Sequence, residues 1–323
     1  MGRWLLGRTL QALVTLLIAL LLLFILMRLA PGDPLSRLSD DRPLSAAEIA
    51  SLRAKYGLDR PIPAQLADYI RGVARGDLGR SIEYGRPVVA LVAERLPATL
   101  LLSGAVLLLN FTVGIWLGVR QAVAHGAAVD RWLTTLSLAG YATPSFWLGL
   151  VLAWLVGVRW RLLPAAGMHD PLLDPGAGLL TRSGDVLRHL LLPALTLSVV
   201  SIAGTMRHQR SAMLEALRLP YIVTARAKGL PEVAVVWRHA WRNAFFPVLT
   251  LFGLWLPVLV TGSVFVESVF AWPGLGSLAA HAVGYRDYPL LMGTSLLVAV
   301  LVVLGSLLTD LAYAYLDPRV RLS

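Results

Sequence analysis

Apolar residues run through this chain in blocks long enough to cross a bilayer, with polar residues collected between them. A hydrocarbon core about 30 Å thick needs roughly 20 consecutive apolar residues as helix. Six blocks approach that length, at about residues 9–29, 97–119, 132–157, 190–206, 244–266 and 289–314. The fourth is the shortest and has Pro193 near its start. Pro144, Pro193 and Pro257 fall inside blocks. This predicts a packed bundle whose neighbouring helices or Ser/Thr groups satisfy the freed backbone. The expected fold is all-α, a polytopic membrane protein with six transmembrane helices. Residues 1–30 are expected to form a cytoplasmic N-terminus and first helix, and 31–96 an extracytoplasmic helical segment. Residues 97–323 make a five-helix core with a cytoplasmic loop at 207–245.

Between the blocks the pattern changes to short amphipathic helices. Ser45-Ala46-Ala47-Glu48 has the capping-box spacing, followed by Ile49, Leu52 and Tyr56 on one face. Gly57 stands where a C-terminal glycine ends a helix, and Pro61 lies just beyond. Leu66, Tyr69, Ile70 and Val73 mark a second helix ending near Gly76, and Pro87 opens a third. In the 207–245 loop, Pro220 opens a helix over Tyr221–Lys228, Gly229 closes it, and Pro231 opens another. That second helix is expected to place Val233, Val236, Trp237, Ala240, Trp241 and Ala244 on one apolar stripe. Arg238, His239 and Arg242 fall largely off it.

Composition changes the meaning of the charge. Of 323 residues, 57% are hydrophobic and only 15% charged, and the mean hydropathy is +0.68. A net charge of +10 would suggest nucleic acid in a soluble protein. Here it fits Lys and Arg held on the cytoplasmic side, and no nucleic-acid partner is expected. Arg3, Arg8, Arg120, Arg131, Arg319 and Arg321 join Arg207, Arg210, Arg218, Arg226, Lys228, Arg238 and Arg242 on one side when the span count is even. Both termini are then cytoplasmic. The basic 31–96 segment exceeds the length over which the rule acts, while Arg159, Arg161, Arg182 and Arg188 count against the assignment. The first block spans about 21 residues and runs into Arg28-Leu29-Ala30-Pro31-Gly32-Asp33 without a cleavage pattern, so it reads as a retained anchor.

Catalytic chemistry is poorly represented. The sequence has no cysteine, hence no disulfide or thiolate site. It has no H-E-x-x-H, G-x-S-x-G or Cys/His cluster, so no enzyme activity, metal or bound cofactor is expected of this chain. Gly2–Thr9 superficially resembles a nucleotide loop, but Arg8 replaces the required Lys and no strand precedes it. Glu267 and Asp310 lie near interfaces and read as caps or ion-pair partners. An ion-coupled carrier would show ionisable residues or broken helices at the midplane. This chain offers Asn110, Thr143, Ser145, Thr196, Ser198 and Ser201, as helix-packing groups or candidates to line a pathway. The basic loop admits two readings, a topological anchor and a docking surface. Charge fits both; two short helices hinged at Gly229, with small Thr224, Ala225 and Ala227 before it, fit docking.

The loop resembles the "EAA" coupling loop of ABC importer permeases, whose generic pattern is E-A-A-x-x-x-G. Here Val223-Thr224-Ala225 precedes Gly229, so the leading Glu is absent. His239-Ala240-Trp241-Arg242 stands where the generic tail has Ile-x-Leu-Pro. Both departures are similar to the dipeptide/oligopeptide/nickel branch, whose loop reads like TARAKGL…RHALRNAxxP. Thr224–Leu230, Arg238-His239-Ala240, Arg242-Asn243-Ala244 and Pro247 match it. The resemblance extends through Arg28–Pro34, Tyr56–Gln65, Gly76–Ile82, Glu94–Leu100, Pro144–Leu150, Phe270–Gly276, Arg286–Pro289 and Leu316–Arg321. Each motif is weak alone; their order and spacing are specific.

The resemblance implies a type I ABC importer permease fold and a subunit of a binding-protein-dependent importer in a bacterial or archaeal cytoplasmic membrane. Its implied partners are a second homologous permease, two ABC ATPases carrying ATP and Mg, an extracytoplasmic substrate-binding protein and the lipid bilayer. Tyr221, Thr224, Ala225, Arg226, Ala227, Lys228, Gly229 and Leu230 would couple to the ATPase. Glu267, Phe270, Trp272, Pro273 and Gly274 would serve the outer gate or binding-protein contact. Di- or oligopeptides, nickel chelates or glutathione are the implied cargo. An ion-coupled carrier and a non-transporting scaffold are the alternatives.

Overall fold

A computed structural model describes residues 2–29, 35, 45–251, 253, 255 and 264–316. The described residues are helical apart from turns and loops, with a single isolated bridge between Arg80 and Pro87. They fall into two compact units, one of Met1–Thr99 with Pro273–Leu304 and one of Leu100–Trp272 with Gly305–Arg321.

The first unit begins with α1 (Gly2–Leu29). Only a narrow stripe of it is buried, through Leu20 and Phe24, while Leu13, Leu17, Leu22 and Leu26 are exposed. In a bilayer that exposure is solvation by lipid rather than a defect. Residues 45–87 follow the expected punctuation. α2 (Ala46–Lys55) starts on a complete Ser45/Glu48 capping box, with Glu48 N–H donating to Ser45 Oγ at 3.2 Å. Gly57 takes φ +65° just after it, and α3 (Ile62–Ala74) opens behind Pro61. α4 (Val88–Leu109) starts immediately after Pro87. Val88, Leu91 and Val92 at its start pack with Leu275, Leu278 and Ala282 of α13 (Leu275–Tyr285) and Leu290 of α14 (Tyr288–Leu316). Asp287, fully buried, accepts from Ser81 Oγ, from Glu83 N–H at 3.2 Å and from Leu290 N–H at 3.1 Å. One carboxylate thus caps α14 and holds the 81–83 turn.

In the second unit α4 passes through a π-helical turn at Asn110–Gly114 into α5 (Ile115–Val123). The expected single span at 132–157 is instead two arms, α6 (Ala128–Ala142) and α7 (Ser145–Leu152, continued as a π-helix to Arg159), bent by 99°. Pro144 is the cause. It disfavours helical geometry at the residue before it, and Thr143 sits at φ −81°, ψ 123° with its hydroxyl on Ala139 O at 2.7 Å. The fourth span was expected to be short; α8 runs unbroken over Leu179–Ala216, 38 residues, straight through Pro193. An apolar window sees only its membrane section, not the polar turns that extend it at each end. α8 lies against α5 with almost no spacing, since a Cβ added at Gly118 would be 2.6 Å from Met206 O.

Among the described residues four helices are long and apolar enough to span, Leu6–Leu29, Val88–Val123, Leu179–Ala216 and Tyr288–Leu311. The bent pair makes up to five. The fifth expected span, 244–266, and Pro257 with it, lies partly outside the described residues.

Candidate functional site

The loop after α8 folds as the turn signals require. Pro220 occupies the first turn of α9 (Pro220–Ala227), where its missing N–H costs nothing. At the other end Gly229 N–H donates to Arg226 O at 2.9 Å and Leu230 N–H to Ala225 O at 3.4 Å. This is a Schellman closure, and it needs the left-handed φ of +74° that Gly229 adopts. Across the turn Arg226 donates twice to Glu232, at 3.1 and 2.6 Å. The guanidinium holds the Glu232 carboxyl below the usual range and raises Arg226 itself. At the start of α9, Asn243 Nδ2 donates to Tyr221 OH at 2.6 Å.

α9 is rooted on one face only. Ile222 (0% exposed) and Ala225 (6%), three residues apart, enter a core of Ile115, Val119, Ala122, Met213, Ala216, Val235, Val236, Ala240, Ala244 and Val248. Burying a side chain such as Ile222 contributes about 1.5–3 kcal/mol. The expected α-helical stripe beyond Pro231 is corrected. After α10 (Glu232–Ala234) the chain makes a π-helix at Val235–Ala240 before α11 (Trp241–Ala244). The wider turn sets Val235, Val236, Ala240 and Ala244 inward and leaves Val233 (73%) and Trp237 (41%) exposed. Trp237 packs at a tilt against Trp241, and Trp241 against Phe245, at 5.9 and 5.2 Å between centroids.

A charged clasp braces the same core. Arg210 of α8 donates to both oxygens of Asp130 at 2.9 Å. Gly126 N–H donates to Asp130 at 3.0 Å and His125 Nδ1 lies 3.2 Å away. The α5–α6 turn is thereby pinned to α8, next to the root of α9. Sequence reading counted Arg210 as an orientation charge; Asp130, its partner, carried no signal in one dimension.

Of the eight residues expected to couple, Tyr221, Thr224, Arg226, Ala227, Lys228, Gly229 and Leu230 are on the exposed side. Ala225 is not; it belongs to the root. Val223, not singled out, is the most exposed apolar residue of α9 at 62%. Of the candidates for a pathway, Asn110, Ser198 and Ser201 are fully buried within the chain, and only Thr143 and Ser145, at the α6–α7 bend, are partly open. Asn110 sits at the π-turn, where Gly114 meets Thr205 with only 3.1 Å to spare for a Cβ. Thr196 is buried as well, and the Asn110 amide and Ser198 hydroxyl are buried without a hydrogen-bond partner among the described residues. Glu267, in the short helix α12 (Val264–Val269), and Phe270 and Trp272 after it are buried as well. Phe270 O accepts from Gly167 N–H at 2.7 Å and Trp272 N–H donates to Glu267 O at 2.8 Å. Pro273 is half-buried and Gly274 buried. None of Glu267, Phe270 and Trp272 offers an open side chain to a partner. No cluster of metal ligands occurs among the described residues.

Comparison with known proteins agrees with the pattern of helices. Residues 110–322 match the family of binding-protein-dependent transport system inner membrane components. Residues 1–103 match the N-terminal region of binding-protein-dependent transport system membrane components. The chain is 39% identical to the oligopeptide transport system permease protein AppB of Bacillus subtilis, over 99% of this chain and 100% of that one. It is 41% identical to the di/tripeptide transport system permease protein DppB of Pseudomonas aeruginosa, over 93% of each. The dipeptide transport system permease protein DppB of Escherichia coli is 39% identical over 93% of each.

Proposed function

This chain belongs to the inner membrane components of binding-protein-dependent transport systems, and on that premise we propose that it is the permease subunit of an ATP-driven importer of di- or oligopeptides. The peptide assignment rests on the names of its relatives; nickel chelates are the second cargo in line. A second homologous permease, two ATPases and an extracytoplasmic binding protein complete the machine, and both termini lie in the cytoplasm.

One observation carries the coupling role. Val223, Leu230 and Val233 are exposed apolar side chains on a knuckle outside every candidate span, where no lipid covers them. A surface of that kind is the mark of a docking site. The knuckle is short, capped and cross-braced, so a push on its tip reaches its root rather than being absorbed in the loop. Its root is shared with α5 and α8, and ATPase closure would move those helices through Ile222 and Ala225. Peptide selection is assigned to the binding protein.

The test is reconstitution of this chain with its permease, ATPase and binding-protein partners in vesicles. ATP-dependent peptide uptake is expected, and Gly229→Trp is expected to abolish it while insertion persists. Uptake by this chain alone, driven by an ion gradient, would favour a self-sufficient carrier; normal uptake in the variant would refute the lever.

A further inference from the structure

The first unit holds a cavity of about 370 Å³ that the coupling knuckle does not explain. Phe24, Met27 and Arg28 at the end of the first span form one wall, and Tyr288 and Met292 at the start of the last form another. Two spans meet there by their ends, which sets the cavity at a membrane–water interface rather than at mid-bilayer. The outer segment supplies the rest through the turn after α2, one face of α3 and residues 77–82.

The lining divides by chemistry. Phe24, Met27 and Met292 make an apolar floor. Among the described residues four cations, Arg28, Lys55, Arg60 and Arg80, face two acids, Asp68 and Asp77, leaving two positive charges in excess. The acids are already engaged. Asp68 pairs with Arg60 and with Arg71, and Asp77 accepts from Gly79 N–H at 2.9 Å. The other cations meet neutral groups. Arg28 donates to Gln65 Oε1 and lies 5.4 Å from the Phe24 ring centroid. Lys55 is 5.8 Å from the Tyr56 ring centroid, and Arg80 donates to Gly85 O at 2.5 Å. Tyr56, Tyr69 and Tyr288 complete the rim, the residue type that collects at headgroup level. Burial pushes the Tyr69 phenol up to about 12, so it stays protonated. Beside the cavity, Leu22, Ile25, Leu26 and Leu29 of α1 are exposed.

We propose that this cavity binds the headgroup of an anionic phospholipid, with its phosphate against Arg28, Lys55 and Arg80 and its acyl chains along the exposed face of α1. The volume suits a headgroup and excludes a whole lipid. A zwitterionic lipid or a zwitterionic dipeptide brings no net charge to offset the surplus, whereas an anionic headgroup offsets part of it, and a soluble anion has no use for the apolar floor.

The test takes the assembled transporter in nanodiscs of mixed phosphatidylglycerol and phosphatidylethanolamine, with retained lipid counted by native mass spectrometry after detergent washing. One phosphatidylglycerol per chain is expected to persist. Lys55→Gln with Arg80→Gln, both exposed positions outside the spans, is expected to weaken retention roughly 30-fold. Lys55→Arg with Arg80→Lys is expected to keep it. Gel filtration of each variant assembly checks that the fold survives. Equal retention of phosphatidylethanolamine, no retention by the wild type, or displacement by inorganic phosphate, glycerol phosphate or a dipeptide would overturn the assignment.

Discussion

The segment at 45–87 and the knuckle at 220–234 are both arginine-bearing and both lie outside the candidate spans, yet they dispose of their side chains in opposite ways. The 45–87 segment turns Tyr56, Leu58, Tyr69, Leu78 and Ile82 toward a cavity that Arg28, Lys55, Arg60 and Arg80 also line. In the knuckle the charges brace, Arg226 to Glu232 and, at its base, Arg210 to Asp130, while Val223 and Val233 are left in the open. Counting charge therefore cannot tell the two apart. What separates them is where the apolar residues go.

The comparison breaks most sharply at Gly229. Its φ of +74° strains any side chain, and a Cβ there meets nothing within 4 Å, so a bulky replacement projects into the space a partner needs. Gly229→Trp should cut ATP-driven uptake by roughly 100-fold or more, the cost of about 3 kcal/mol at a docking contact. Uptake assays on vesicles matched for protein content measure this. Next comes the root. Gly118→Leu forces α5 from α8 and is expected to cost about 1–3 kcal/mol, seen as a lower Tm of the purified chain. Asp130→Ala leaves Arg210 without its carboxylate and should also lower Tm, by about 1–3 kcal/mol because Arg210 keeps some contact with solvent.

Val223→Ser sharpens the contrast from the other side. It should leave Tm nearly unchanged, because the side chain is 62% exposed, and reduce ATPase binding roughly fivefold, as expected for an exposed apolar contact of about 1 kcal/mol. The smallest effect belongs to the exposed brace. Glu232 is held below its usual range when folded, so its stabilisation is present at neutral pH and is lost as pH falls through the folded value. Glu232→Gln should remove that pH dependence and change uptake at neutral pH by less than about twofold, as exposed ion pairs contribute little.

Local punctuation made much of this legible in one dimension. Ser45 and Glu48, Gly57, Pro87, Pro220 and Gly229 all mark the boundaries they were read to mark, because caps and turns are decided by neighbours within a few residues. The failures are of two physical kinds. Val233 and Trp237 were placed inward on a 3.6-residue period, and the π-helix at Val235–Ala240 changed that period. Asn110, Ser198, Glu267 and Trp272 were read as pathway or gate candidates from polarity and position, and their burial within the chain, which comes from packing across the sequence, was not foreseen. Asp130–Arg210 and Asp287–Ser81, separated by 80 and 206 residues, were invisible for the same reason. Long-range partners need the fold.

Adjacent residues of α9 give the most direct test. The chain has no cysteine, so Val223→Cys or Ile222→Cys places a single thiol in it. Maleimide labelling of Val223→Cys should be fast in the free permease and strongly protected once the ATPases are bound, while Ile222→Cys stays slow in both states. Unchanged fast labelling of Val223→Cys in a complex that hydrolyses ATP and imports peptide would contradict docking at the knuckle.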